Sequence, residues 1–143
     1  PLLEKLLKEQ NIPEELKYLA VLESGLSTTA ISPSQAVGLW QFKEPTGRSF
    51  GLAINETVDD RYDATLSTVA ACKYLNWLNK EFQDWNLSLL AYNAGPTYLR
   101  HQIKYNQSSD YFTLLPSLTD PAQKYLPALV AIIYLFNNFE NHF

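Results

Sequence analysis

The sequence contains little cysteine and glycine, and it contains no methionine. One cysteine, Cys72, among 143 residues excludes an internal disulfide and a zinc site built on several thiolates. Five glycines and eight prolines are too few for a collagen-like or low-complexity chain. Because there is no initiator methionine, we expect the chain to be a processed or excised part of a longer protein.

A long hydrophobic run and an excess of positive charge are also missing. The longest apolar run, Leu126–Phe136, contains Pro127 and is well short of the roughly 20 residues that a membrane helix needs. The amino-terminal segment PLLEKLLKEQ carries charge throughout, unlike a signal peptide. A net charge of −4 disfavours nucleic acid and anionic membranes, which require clustered lysine and arginine. We therefore expect one soluble domain over residues 1–143, and we take it to be a monomer by default.

Helical spacing of apolar residues recurs along the chain, whereas strand-like alternation is rare, so the sequence predicts an all-α fold. Helix starts are indicated by Pro13 followed by two glutamates and by Asp63 as an N-cap, and helix ends by glycines. The predicted helices lie before Asn11, from Pro13 to Gly25, among the turns of 45–51, from Asp63 to about Phe82, from about Asn86 to Ala94, from about Thr97 to Tyr105, and from a cap at Asp120-Pro121 onward.

The long helix after Asp63 is predicted to carry much of the core. Its apolar side chains at helical spacing are Leu66, Val69, Ala70, Tyr74, Trp77 and Leu78. Trp77 and Trp85 are interpreted as core residues, and Cys72 as a small buried hydrophobe. The charged residues ahead of the helix are interpreted as caps and a surface ion-pair network: Asp59, Asp60, Arg61 and Asp63.

Glu23 interrupts the apolar stripe of the helix that begins after Pro13. It follows Leu16, Leu19 and Ala20 at helical spacing, so its side chain is expected to point inward. It also lies in the last turn, where the negative end of the helix dipole disfavours a second negative charge. Both effects would raise the pKa of Glu23, as in a general acid. The spacing alone leaves open a structural ion pair or a side chain that turns to the surface.

Four short motifs follow one another along the chain: Glu23-Ser24, Ser32, Gly38-Leu39-Trp40-Gln41 and Ala91-Tyr92-Asn93-Ala94-Gly95. Together they resemble the lytic transglycosylases, goose-type-lysozyme-like enzymes that cleave peptidoglycan, and among these the membrane-bound type D branch. The likeness continues through GLWQFKEPTGRSFGL and covers about residues 12 to 130. The chain departs from the family pattern at Gln35, where glycine is usual, and at Pro121-Ala122 ahead of Tyr125.

The resemblance implies a lysozyme-like helical domain with a substrate cleft and Glu23 as its catalytic acid. It implies non-hydrolytic cleavage of the β-1,4 bond between N-acetylmuramic acid and N-acetylglucosamine, which leaves 1,6-anhydromuramic ends. The partner would be a peptidoglycan glycan strand in the bacterial cell envelope, in the periplasm, with an outer-membrane anchor as an option for the full-length protein. The predicted substrate-binding residues are Ser24, Ser32, Gln41, Tyr92, Asn93, Tyr125 and Trp40.

The side chains of these residues suit different tasks. Gln41 and Asn93 carry donors and acceptors for acetamido and hydroxyl groups, or they stabilise loops and helix ends. Tyr92 and Tyr125 can hydrogen-bond Glu23 or the substrate, or they are core tyrosines. The two serines are expected to orient the glutamate and its loop. The aromatic residues Trp40, Phe42 and Tyr98 are candidates for stacking on sugar rings, although helical aromatics are more often core.

Only one acid lies in a catalytic-looking motif, which suffices if the substrate supplies its own nucleophile. One alternative is a hydrolysing muramidase in which Asp59, Asp60 or Asp63 is a second carboxylate. Another is a glycan-binding domain in which Glu23 is structural. The sequence has neither a glycine-rich phosphate loop nor a metal-ligand cluster, so we expect no cofactor and no metal.

Overall fold

A computed structural model describes residues 1–139, and their backbone confirms the all-α prediction. The described residues form eight α-helices: α1 (Leu2–Glu9), α2 (Tyr18–Ser24), α3 (Glu44–Ser49), α4 (Ala64–Phe82), α5 (Trp85–Ala94), α6 (Pro96–Asn106), α7 (Tyr111–Leu114) and α8 (Asp120–Asn137). Three short 3-10 helices span Glu14–Lys17, Asp60–Tyr62 and Leu115–Ser117. Extended pairing within residues 1–139 is limited to isolated β-bridges.

Backbone contacts divide the chain into two compact units, residues 1–74 and residues 75–143. The boundary falls inside α4, so no linker separates the units in sequence. The expectation of one domain over the whole chain stays a prediction.

The first unit begins with α1 and α2, which both pack against the 3-10 helix Glu14–Lys17. Pro13 precedes this 3-10 helix, and Gly25 ends α2 at φ 61°, so both helix boundaries predicted from the sequence are confirmed. Leu16, Leu19 and Ala20 are at most 6% exposed, which confirms the apolar stripe that Glu23 interrupts.

Residues 35–42, which we call the 35–42 loop, follow α2 without forming a helix. Val37 and Phe42 exchange both backbone hydrogen bonds, at 2.9 and 3.1 Å, so the loop closes on itself. Gly38 adopts φ 84°, and a Cβ placed on it would lie 2.1 Å from the carbonyl oxygen of Arg61. Glycine is therefore required at position 38 both for its backbone conformation and for this close approach.

The long helix α4 begins at its predicted cap, because Asp63 Oδ1 accepts a hydrogen bond from the backbone N–H of Leu66 at 2.7 Å. Its buried face is nevertheless rotated from the predicted one. Leu66 and Trp77 are 47% and 43% exposed, so their assignment to the core is wrong. Ala70, Tyr74 and Leu78 are buried as predicted.

Polar residues explain the rotated face of α4. Ser67 and Thr68 are fully buried, and the Thr68 hydroxyl donates to the carbonyl oxygen of Ala64 at 2.6 Å. An apolar stripe cannot reveal core positions that polar side chains occupy. Cys72 is also fully buried, and burial raises the pKa of its thiol to about 11, as expected of a small buried hydrophobe.

The second unit packs α5 against α6 and α8, and α6 against α7. Asp84 Oδ1 caps α5 by accepting from the backbone N–H of Leu87 at 2.9 Å. Gly95-Pro96 separates α5 from α6 as predicted. The short helix α7 was not predicted, because its four residues are too few to show helical periodicity.

The start of α8 differs from the prediction. Thr119 precedes the helix, while Asp120 lies in its first turn and pairs with Lys124 at 2.8 Å instead of capping it. The backbone N–H of Thr119 donates to the Tyr98 hydroxyl at 3.0 Å. Pro127 lies inside α8, and the helix continues through it. Among residues 1–139, none of the helices combines the length and the apolar content that crossing a bilayer requires.

The close approach of the Arg61 carbonyl group to Gly38 generates a stability prediction. The Gly38→Ala substitution should lower the free energy of unfolding by more than about 3 kcal/mol, because the new Cβ collides with backbone and the residue must keep a positive φ. The matched control is Gly51→Ala, since Gly51 adopts φ 94° with nothing within 4 Å of its added Cβ. Its cost should be about 1–2 kcal/mol. Equal losses in urea unfolding would contradict the assigned contact.

Candidate active site

Glu23 lies in the last turn of α2, and its side chain is half-buried. The helix ends at Ser24, the next residue, because Gly25 after it adopts the left-handed conformation. Glu23 therefore lies near the negative end of the dipole of α2, at the place in the helix that the sequence predicts.

Ser24 joins the end of α2 to the 35–42 loop. Its hydroxyl donates to the carbonyl oxygen of Leu39 at 2.9 Å, and it also lies 3.0 Å from the carbonyl oxygen of Ala20 in the preceding turn. The residue next to Glu23 is thus tied to the loop that carries Gln41. This contact fits the orienting role expected of Ser24.

Gln41 lies at the end of the loop in the left-handed conformation, at φ 53°. Its side-chain Nε2 donates to the carbonyl oxygens of Gly38 and Ala30, at 3.0 and 3.2 Å. Both bonds use the amide nitrogen, so Oε1 is the amide atom that can accept a hydrogen bond from a ligand. The structural role that the sequence left open for Gln41 is present, and it leaves one polar atom for binding.

Ser32 shapes the approach to the loop. Its hydroxyl accepts from the backbone N–H of Ala36 at 3.0 Å and lies 3.0 Å from the hydroxyl of Ser34. Its own backbone N–H donates to the carbonyl oxygen of Ala36 at 2.9 Å. These contacts fit the expected orienting role, while binding of substrate by Ser32 stays a prediction.

Trp40 lies in the interior. The side chain is 1% exposed, and the indole N–H donates to the hydroxyl of Thr68 at 2.9 Å. Stacking on a sugar requires an open ring face, so this burial contradicts the predicted substrate-binding role of Trp40. Phe42 is 3% exposed and is excluded from stacking for the same reason. The sequence left a core position open for both aromatic residues, but it could not identify the hydrogen-bond partner of Trp40, which lies 28 residues away.

The sequence predicts Arg61 in a surface ion-pair network. Its position at the surface is wrong, because Arg61 is only 8% exposed. Its Nε and Nη2 bind the carboxylate of Asp59 in a bidentate pair, at 3.0 and 2.7 Å. Its Nη1 donates to the carbonyl oxygens of Phe42 at 3.2 Å and Gln35 at 3.4 Å. Hydrogen bonds from Arg61 hold the pKa of Asp59 below its usual value, against the opposing effect of burial.

The remaining predicted site residues belong to the second unit. Tyr92 and Asn93 lie in the last turn of α5, where Tyr92 is half-buried and Asn93 is exposed. Tyr125 lies on α8 and is 7% exposed. Tyr98 holds the start of α8 through its hydroxyl, which is a structural role. The substrate-binding roles of Tyr92, Asn93 and Tyr125 stay predictions.

Comparison with known proteins supports the family resemblance. The family model described as the transglycosylase SLT domain matches residues 2–115. The chain is 35% identical over 136 residues to the membrane-bound lytic murein transglycosylase D of Escherichia coli K12. That alignment covers 92% of this chain and 30% of the relative, so the chain spans less than a third of the relative's length.

Solved structures share the fold. The 70 kDa soluble lytic transglycosylase Slt70 of E. coli matches with a TM-score of 0.79 at 21% identity, covering 97% of this chain and 24% of that one. An inactive mutant of the lytic transglycosylase Slt of Pseudomonas aeruginosa matches with a TM-score of 0.76 at 20% identity, with the same coverage. These matches confirm the predicted lysozyme-like fold class.

The hydrogen bond between Trp40 and Thr68 generates a second prediction. The Thr68→Val substitution keeps the shape of the side chain but leaves a buried indole N–H without its acceptor, which should cost about 1–3 kcal/mol in urea unfolding. The matched control is Ser67→Ala, because the buried hydroxyl of Ser67 has no hydrogen-bond partner among residues 1–139. The control should lose no more than about 0.5 kcal/mol. If both variants lose the same stability, the hydrogen bond is not the cause.

The ion pair of Asp59 and Arg61 generates a prediction about pH. The pKa of Asp59 is lowered in the folded protein, so its contribution to stability is complete above the ordinary value of about 3.9. The contribution is lost as the pH falls from there through the folded-state pKa. The stability difference between wild type and Asp59→Asn should therefore be constant near neutral pH and shrink below about pH 4.

The control for this titration is Asp63→Asn, because asparagine can keep the helix cap and should change stability near neutral pH by no more than about 0.5 kcal/mol. Unfolding by urea at a series of pH values measures both variants. A difference between wild type and Asp59→Asn that stays constant down to about pH 2 would contradict the lowered pKa.

Proposed function

The chain belongs to the transglycosylase SLT domain family, and we propose that it cleaves peptidoglycan strands as a lytic transglycosylase. The observation that carries the proposal is the arrangement in the first unit. A half-buried Glu23 at the end of α2 lies beside Ser24, whose hydroxyl donates to the 35–42 loop that carries Gln41. The identity to a lytic murein transglycosylase over 92% of the chain supports the same reaction.

The first step of the proposed reaction is proton transfer from the Glu23 carboxyl group. The proton goes to the oxygen that links N-acetylmuramic acid to N-acetylglucosamine, and the bond from that oxygen to the anomeric carbon breaks. The leaving sugar takes the oxygen as a hydroxyl group. Positive charge that develops at the anomeric carbon is stabilised by the acetamido group of the same muramyl residue.

The second step closes a ring on the muramyl residue. The Glu23 carboxylate takes the proton of the muramyl 6-hydroxyl, and the freed oxygen bonds to the anomeric carbon. The product is a 1,6-anhydro sugar, and no water is consumed. Glu23 recovers the proton that it gave up, so a single carboxyl group serves as acid and then as base.

The other polar residues of the proposal bind the sugar. Gln41 presents Oε1 to a donor of the substrate, because its Nε2 is engaged with loop carbonyl groups. Asn93 is exposed and offers a donor and an acceptor for acetamido and hydroxyl groups. Tyr92 and Tyr125 are proposed to supply hydroxyl groups for hydrogen bonds to the substrate.

The contacts of three aspartates support this route over a hydrolytic one. Asp59 is paired with Arg61, Asp60 Oδ2 accepts from the backbone N–H of Ala53 at 2.8 Å, and Asp63 caps α4. Each carboxylate that the sequence offered as a second catalytic group thus has a structural partner. A hydrolase with two carboxylates would need one of them free to activate water.

The substrate class also gives the proposed location. Peptidoglycan strands are the proposed partner, and an enzyme that acts on them works in the bacterial cell envelope. The relative with 35% identity is named as a membrane-bound murein transglycosylase, which is consistent with that location. We propose that the domain acts as a monomer, since the reaction as written needs one carboxyl group.

The decisive variant is Glu23→Gln, which removes the transferable proton and keeps the size of the side chain. Turnover of purified peptidoglycan should fall by about 10²–10⁴-fold, while binding of the glycan is retained. The matched control is Glu15→Gln, an exposed glutamate in the 3-10 helix ahead of α2, which should keep wild-type turnover.

Mass spectrometry of the digested strands identifies the reaction. The lytic route gives muramyl ends that are lighter by one water than the reducing ends left by a muramidase. If the wild type leaves reducing ends, the reaction is hydrolysis and the lytic proposal is wrong. If the strands bind to the wild type and are not cleaved, the domain is a glycan-binding domain and the lytic proposal is wrong.

A further inference from the structure

We propose that Arg61 is a positioning residue for the reaction, because its buried guanidinium group holds both ends of the 35–42 loop and so fixes Gln41. The inference rests on the proposed function, in which Gln41 contacts the sugar. Arg61 itself is buried, at 8% exposure, and acts through the loop.

Arg61 meets the loop at three points. Nη1 donates to the carbonyl oxygens of Phe42 and Gln35, which lie at the two ends of the loop, at 3.2 and 3.4 Å. The backbone carbonyl of Arg61 lies against Gly38 in the middle, so closely that a Cβ there would be 2.1 Å away. Arg61, which lies between α3 and α4, therefore sets the position of the whole 35–42 loop.

Asp59 fixes the direction of the guanidinium group. Its carboxylate binds Nε and Nη2 together, which leaves Nη1 pointing at the loop carbonyls. The pair also neutralises the buried charge, since an isolated arginine in the interior would be strongly disfavoured. The geometry thus depends on the planar fork of arginine, with one side on the carboxylate and the other on the loop.

The contacts explain why a lysine would not replace Arg61. The ammonium group of lysine is a compact point charge. It cannot present parallel N–H groups to a carboxylate and still reach two carbonyl oxygens. The Arg61→Lys variant keeps the charge and loses the bridge. Gln41, which is adjacent to Phe42, would then be held less firmly relative to α2.

Loss of this bridge should appear in turnover more than in substrate affinity. Displacement of a binding group by about 1 Å can cost up to about 100-fold in rate even when the protein stays folded. We expect kcat of Arg61→Lys to fall by about tenfold or more, with a smaller change in KM, at a temperature where the variant is fully folded.

The matched control is Arg48→Lys. Arg48 also joins a carboxylate to a backbone carbonyl, since Nη2 lies 2.7 Å from Glu44 Oε1 and 2.6 Å from the carbonyl oxygen of Ile54. Neither partner belongs to the 35–42 loop. This variant should keep kcat within about twofold of the wild type. Release of anhydro products from purified peptidoglycan measures both, and circular dichroism reports the folded fraction.

Each result decides the proposal. A wild-type kcat in Arg61→Lys, or an equal loss in Arg48→Lys, overturns the positioning role alone. A wild type that releases no anhydro product overturns the proposed function and the role that rests on it. If Arg61→Lys does not fold, Asp59→Asn replaces it, because it frees the guanidinium group while keeping Arg61. A lowered kcat then supports the role, and an unchanged kcat overturns it.

Discussion

The hydrogen bond from the Ser24 hydroxyl to the carbonyl oxygen of Leu39 is the contact on which the proposed active site depends. It joins a helix end, where backbone geometry is regular, to the 35–42 loop, where it is not. Backbone N–H groups bond the loop carbonyl oxygens of Ala36, Val37, Gly38 and Phe42, and buried carbonyl groups without enough backbone partners need other donors. Side chains supply them, from Ser24, from Arg61 and from Gln41 within the loop itself.

The loop also carries backbone strain that these donors must hold in place. Gln35 and Gln41 adopt φ of 66° and 53°, a conformation that costs a residue with a Cβ about 1 kcal/mol or more. Strain of this kind persists where surrounding contacts determine the conformation, and it is concentrated at functional sites. A part-buried ion pair and a helix-end serine are such contacts, so the proposed position of Gln41 depends on polar interactions.

The features that could be predicted from the sequence are those that depend on residues close together in the chain. The helix end at Gly25, the cap at Asp63 and the apolar stripe that Glu23 interrupts each depend on residues within a few positions, and all three are present. The burial of Arg61 depends on carbonyl groups 19 and 26 residues away, so its charge suggested the surface. The exposure of Trp77 could not be predicted either. Hydrophobic periodicity does not show that polar residues occupy the buried face of α4.

The contact between Ser24 and the loop can be tested by itself through kcat of the Ser24→Ala variant at saturating peptidoglycan. Loss of one hydrogen bond should lower the melting temperature by only a few degrees. If that hydrogen bond holds Glu23 and the 35–42 loop in register, kcat should fall by about tenfold or more in the folded variant. A kcat equal to that of the wild type would contradict the account, because the helix end and the loop would then keep their relative position without the contact.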